Sequence, residues 1–306
     1  MKTARTEHRI TPLRVGITIG VILLLSLFIA FLWRNANPQW VAFERSVKEL
    51  QLLQTMSREL LASAEAEKSA VMADTDEESR SFAEQSTQAS RTVEKARLAL
   101  APLLEGNRIQ LQRFDEFTHC WEKLQEIDKE VLSLAVQNTN LKALRLSFGP
   151  AADARRRMEQ HLTQLMDVVR PTPNAIVLTR LASQALVGTL NIYALHAPHI
   201  AESNPMRMEE MEGQMRQFDA QVTQALQHLQ EQVDELSQQL LAEAWESYKE
   251  FQKLTSEIVA LSRNNSNIRS FAISLGQKRN MTATCQETLT ALQETVHQGM
   301  SYKATR

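Results

Sequence analysis

The chain has 306 residues, a formal net charge of −2 and 23% charged side chains. That balance argues against a nucleic-acid partner, which calls for a strongly basic face. Aromatic content is only 6%, with Leu, Ala, Gln and Glu dominant, the composition of helical bundles and coiled coils; the length suits two domains or one elongated body.

Residues 1–14 form a basic tail carrying Lys2, Arg5, Arg9 and Arg14. Val15 to Trp33 follows without a charge, long enough to cross a bilayer as a helix. Arg34 is the only base close behind it, so the positive-inside rule puts the N-terminus in the cytoplasm and the remainder outside. A cleaved signal peptide is the alternative, but the run is long for one and no clear small-x-small cleavage site follows. No second run of comparable apolarity is apparent, so residues 15–33 are read as an uncleaved anchor ahead of one exported body.

Helical spacing predicts a first helix over about 38–72, with Phe43, Val47, Leu50, Leu53, Leu60 and Ala64 on its apolar stripe. The acids after Asp74 mark a turn, and a second helix covers about 77–104. A long third helix is expected over 108–170, kinked at Gly149-Pro150, because proline inside a helix costs about 3 kcal/mol and usually bends or ends it. Helices over about 174–198, 205–231 and 235–302 complete the series.

Self-similarity organises the whole. Asn138 to Gly149 reads NTNLKALRLSFG and returns at Asn265 to Gly276 as NSNIRSFAISLG, an offset of 127 (265 − 138) with four identities. Trp121, Leu124 and Val131 pair with Tyr248, Phe251 and Ile258 at that offset, whereas LLQTMSRELLA from Leu52 aligns with VLTRLASQALV from Val177 at 125. The expected body is therefore all-α: a first repeat over 34–171, a second over 172–302, and a short tail over 303–306. Two long and four short helices fill two stacked four-helix bundles. Eight shorter helices in two separate bundles are the alternative.

An N-terminal anchor leading into such a duplicated ectodomain resembles bacterial chemoreceptors and sensor kinases of the helical bimodular type. The NTNLKALRLSFG and NSNIRSFAISLG segments resemble the late-helix pattern of four-helix-bundle chemoreceptor ectodomains. The resemblance implies a single-pass inner-membrane protein with its bulk in the periplasm, sensing a small molecule as a homodimer by small helix displacements. Members of that group continue into a second membrane helix and a signalling region, whereas this sequence stops at Arg306. The competing expectation is a tethered adaptor rod that docks a partner protein.

No catalytic constellation, phosphate loop or metal-ligand spacing stands out, so neither an enzyme nor a cofactor is expected. His196 and His199 flank Pro198 and read as a turn. Asn138 and Asn265, with Asn140 and Asn267 beside them, place polar groups on apolar stripes; such residues fix register or form a ligand-binding layer. The two long helices should cross with this layer at one height, at the junction of the bundles. The same register brings Cys120 and Cys285 to one level, within reach of a disulfide or as two separate small apolar residues. Arg58, Arg145 and Arg180 lie nearest the stripes and suit a carboxylate ligand, an organic acid or amino acid.

Overall fold

The computed structural model describes residues 38–304, together with 23 and 25–27. The expected anchor at 15–33 thus lies almost wholly outside the described residues. Every regular element among the described residues is helical. In order they are α1 (Pro38–Met72), α2 (Asp76–Leu100), a 3-10 turn (Ala101–Leu103), α3 (Arg108–Ala135), α4 (Thr139–Leu146), a π turn (Ser147–Ala151) and α5 (Ala152–Val169). The second half repeats the order: α6 (Ala175–Ala201), α7 (Pro205–Gln232), α8 (Glu235–Asn264), α9 (Ser266–Ile273), a second π turn (Ser274–Lys278) and α10 (Arg279–Ala304).

The two long helices of the sequence reading are each broken, and not at proline. Among the described residues Asn138 and Asn265 are the non-glycine residues with positive φ, 50° and 57°, and each begins a short new helix. Asparagine tolerates the left-handed region better than most residues, which makes these the weakest points of both spans. At Gly149-Pro150 the helix widens into a π turn instead of stopping. The second copy forms the same turn at Gly276-Gln277 without proline, so the widening belongs to the repeat and not to Pro150.

Helix ends also correct the alignment of the hairpins. Met72 and Ala201 close α1 and α6, and Asp76 and Pro205 open α2 and α7. Both pairs differ by 129, so the sequence match at 125 is one helical turn out of register. The offset of 127 holds in the later helices, where Trp121, Tyr248, Leu124, Phe251, Val131 and Ile258 are all buried.

The described chain forms two compact units, each drawing on both repeats: residues 38–61, 90–121 and 284–304 in one, and 62–89 with 122–283 in the other. In the first, Leu53, Met56 and Leu60, then Val93, Ala96 and Leu100, then Phe114, Phe117 and Trp121, then Leu289, Leu292 and Val296 are buried at steps of three or four. These are one apolar stripe per helix. Cys120 and Cys285 are joined in a disulfide there, with Cα atoms 5.5 Å apart. The Trp121 indole N–H donates to Glu94 at 3.0 Å, and Arg97 pairs with the same carboxylate.

The second unit holds the larger core, built from α5, α6, α7 and α8 around Met158, Leu162, Ala185, Ile192, Leu226, Tyr248 and Phe251. A smaller cluster gathers Ala70, Val71, Ala83, Ile127, Val131 and Ala135. Among the described residues α6 alone is long and apolar enough to cross a membrane, which corrects the expectation of no second apolar run. Here it packs against α5, α7 and α8 as a bundle helix.

Candidate functional site

The asparagine segments meet inside the second unit, between α4 and α9. The first N–H groups of a helix have no partner within it. Here each helix supplies side chains for the other. Thr139 N donates to Ser266 Oγ at 3.1 Å and Ser266 N to Thr139 Oγ1 at 3.0 Å. Asn140 N donates to Asn267 Oδ1 at 3.1 Å and Asn267 N to Asn140 Oδ1 at 3.2 Å. The amides close a second ring: Asn140 Nδ2 reaches Asn265 Oδ1, and Asn267 Nδ2 reaches Asn138 Oδ1. Remaining donors go to Ile200 O, Glu202 O and Asp76. The two asparagine segments expected to share one level do meet, but inside one unit instead of at a junction. All four asparagines are committed to one another and to fixed neighbours, the arrangement of a register device.

The three candidate arginines do not converge on a ligand. Arg58, on α1, keeps its side chain 74% exposed and pairs with Glu59. Arg145 donates to the backbone oxygen of Asp74, and Arg180 lines a shallow surface groove with Asp167 and Arg170. Lysine is used more deeply. Lys278, on the second π turn, is buried between Glu67 and Asp128, which are also buried. Burial pushes the Asp128 carboxyl above its ordinary value and Glu67 adds to that, while Lys278 pulls it back.

At the repeat-equivalent place, offset 129 for Glu67 and 127 for Asp128, stand His196 and Thr255. His196 Nε2 lies 3.1 Å from Thr255 Oγ1, and its Nδ1 lies 3.2 Å from Ser147 Oγ on the first π turn. Burial depresses its pKa to about 4, and His199 contributes, so the ring is neutral at pH 7. His199 Nδ1 is 2.9 Å from Ser262 Oγ and its Nε2 is 3.0 Å from Glu212. The turn expected at these histidines is not there: α6 runs on through Pro198 to Ala201. The repeat-equivalent places thus hold a Glu67–Asp128–Lys278 triad and a neutral histidine bridge, each completed by a residue of the other repeat, Lys278 or Ser147.

Beside the histidines, α6, α7 and α8 enclose a cleft of about 360 Å³. Its apolar wall is Ile192, Met215, Phe251 and Val259; its polar wall is Glu212, Arg216, Asp219, Gln252, Thr255 and Ser256. The size and mixed lining are those of a small-molecule pocket. Arg263 binds Glu212 and Glu209, and Arg216 also meets both acids, so those charges are balanced locally. Asp219 accepts from Tyr248 Oη at 2.6 Å and Gln252 Nε2 at 2.5 Å, both on Oδ1. Among the described residues no group of three or more His, Cys, Asp or Glu is placed to hold a metal ion. No protein-family model and no curated protein matches the chain.

Sequence reasoning passed over this cleft because none of its polar residues forms a local motif. One signal was there. His196 and His199 continue the stripe Leu178, Leu181, Ala185, Thr189 and Ile192 of a helix with no Asp, Glu, Lys or Arg beyond Arg180, so they had to be buried and partnered.

Proposed function

We propose that the protein is the sensory body of a membrane-anchored, chemoreceptor-like receptor, exported to the periplasm and binding a small molecule in the α6–α7–α8 cleft. The observation that carries this reading is the bridge through His196, from Thr255 in the cleft wall to Ser147 in the π turn. A molecule that displaces Thr255 has a hydrogen-bonded route to an irregular helical turn, and π turns concentrate at functional sites. The disulfide supports an exported body, since such bonds persist in oxidising compartments. The anchor at 15–33 and the stacked four-helix-bundle arrangement belong to the same proposal. A thermal-shift screen of the full chain with small organic ions tests it. A true ligand raises the melting temperature with concentration and alters hydrogen exchange over 138–151. No stabilisation by any compound at millimolar concentration overturns it.

The outer face of α6 favours self-association within this reading. Ile176, Val187 and Leu190 are 85%, 56% and 50% exposed, and no charged residue occurs between Leu181 and Ala201. Positions 176, 180, 183, 187, 190, 194 and 197 alternate steps of four and three, the period of a coiled-coil seam. The places equivalent to 187, 194 and 197 on α1 hold Arg58, Glu65 and Lys68, so the fold itself does not require an apolar face there. Beyond Arg180, at its start, the seam is uncharged and does not repel its own copy, which makes a homodimer the reading to test. The double variant Val187→Glu with Leu190→Glu should convert a detergent-solubilised dimer to monomer; an unchanged mass would sink the dimer. Co-purification of a different stoichiometric chain would instead favour the adaptor.

A further inference from the structure

We infer that the ligand of the α6–α7–α8 cleft is a small organic cation, an alkylammonium or alkylguanidinium group seated on Asp219, an inference that rests on the sensory reading above. The two repeats supply the argument. Trp121 and Tyr248 occupy equivalent places, and each donates to an acid on the second helix of its repeat, Glu94 and Asp219. Glu94 has its own counter-ion: Arg97, three residues on, holds it through Nη2 at 2.6 Å and Nε at 2.9 Å. Three residues beyond Asp219 stands Val222, fully buried. Among the described residues no basic side chain comes within ion-pair distance of Asp219. Its Oδ1 takes both neutral donors, and its Oδ2 accepts no hydrogen bond from them. A half-buried carboxylate supported only by neutral donors lacks the charge that would balance it, and the one guanidinium lining its cleft, Arg216, pairs with Glu209 and Glu212 instead.

The lining suits such a molecule. Glu212, Glu209, Arg216 and Arg263 neutralise one another, which leaves Asp219 as the net charge of the site. Ile192, Met215 and Phe251 offer an apolar wall for an alkyl stem. A guanidinium presents a planar fork to a carboxylate and an ammonium a point charge, so either head can balance Asp219 as Arg97 balances Glu94. This reverses the ligand charge expected from Arg58, Arg145 and Arg180.

Four matched probes test the charge: n-butylguanidinium, n-butylammonium, butyrate and n-butanol, titrated into the full chain in detergent and followed by ligand-observed NMR. The two cations should bind at least tenfold more tightly than butyrate or butanol. Asp219→Asn keeps the shape and an acceptor for Tyr248 and should weaken the cations at least tenfold, leaving butanol unchanged. Should that variant not fold, Met215→Trp fills the cleft without altering its charge and should exclude the cations equally. Preferential binding of butyrate, lost in Met215→Trp, overturns the cation inference and leaves the sensory reading standing. Absence of binding by all four probes and by the wider screen overturns both.

Discussion

Thr139 and Ser266 cap each other's helices, each backbone N–H donating to the other's side-chain oxygen across a sequence separation of 127 residues. Asn140 and Asn267 repeat the exchange one residue on. The four positions form a local two-fold arrangement in which the duplicated segments satisfy one another. Removing one amide leaves a buried N–H and its neighbours unpaired, which costs about 1–3 kcal/mol. Asn140→Ala and Asn267→Ala should each lower the unfolding free energy measured in urea by that amount. The double variant should cost less than the sum, with a coupling of about 1 kcal/mol in a double-mutant cycle. Strict additivity would mean that the two caps act independently.

The Lys278 triad makes a prediction with opposite signs at neighbouring residues. Lys278 stands between two carboxylates, Glu67 and Asp128, all of them buried. Lys278→Met leaves both acids without a counter-ion and should cost about 3–5 kcal/mol at pH 7. Asp128→Asn leaves a one-to-one pair and should be neutral or stabilising. The pH dependence follows from burial, which raises the Asp128 pKa above 3.8. A raised group stabilises the fold fully below its unfolded value, and that contribution is lost as pH rises through the folded value. Relative to Asp128→Asn, the wild type should therefore lose stability between acid and neutral pH. Parallel urea titrations at pH 4 and pH 7 measure the difference.

What the sequence made legible was the repeat and its helices. Its period of 127 carried Trp121 onto Tyr248 and Val131 onto Ile258, because large apolar residues on one stripe have to be buried in either copy. It also brought the Asn138 and Asn265 segments together and Cys120 to Cys285. The left-handed breaks were not legible, since asparagine on a helical stripe reads equally well as a polar core residue. The hairpin register slipped by one turn because apolar stripes recur every three or four residues, so shifts of a single turn match almost as well. The cleft and the triad were hidden for another reason. Glu67, Asp128 and Lys278 come from three helices, and only packing shows that they share one interior.

His196 gives an acid-side counterpart to the triad. Burial, with His199 contributing, depresses its pKa from 6.5 to about 4. A depressed group stabilises the fold above its unfolded pKa, and that contribution is lost as pH falls through the folded value. Acidification should thus cost the fold stability progressively from pH 6.5 down to 4 as this contribution is lost, by at most about 3 kcal/mol. His196→Gln can still bridge Thr255 and Ser147 but does not titrate. Its melting temperature should fall less than that of the wild type over this window, and parallel curves would remove His196 as the cause.

The disulfide supplies the last test, and it bears on the compartment as well as the fold. Cys120 and Cys285 both belong to the first unit and close a loop with a sequence separation of 165 residues. In the chain-entropy account the gain grows with the logarithm of loop length, so a loop of this size stabilises by up to about 5 kcal/mol, with 2–4 kcal/mol the usual measured range. Both cysteines are buried, so alanine at each position removes the bond without placing a polar group in the core. The Cys120→Ala, Cys285→Ala double variant should unfold about 2–4 kcal/mol more easily, and addition of reductant should bring the wild type towards it. Protein recovered from intact membranes under alkylating conditions should run faster on a non-reducing gel than on a reducing one. Two free thiols in that protein would place the body in a reducing compartment and remove the main support for its export.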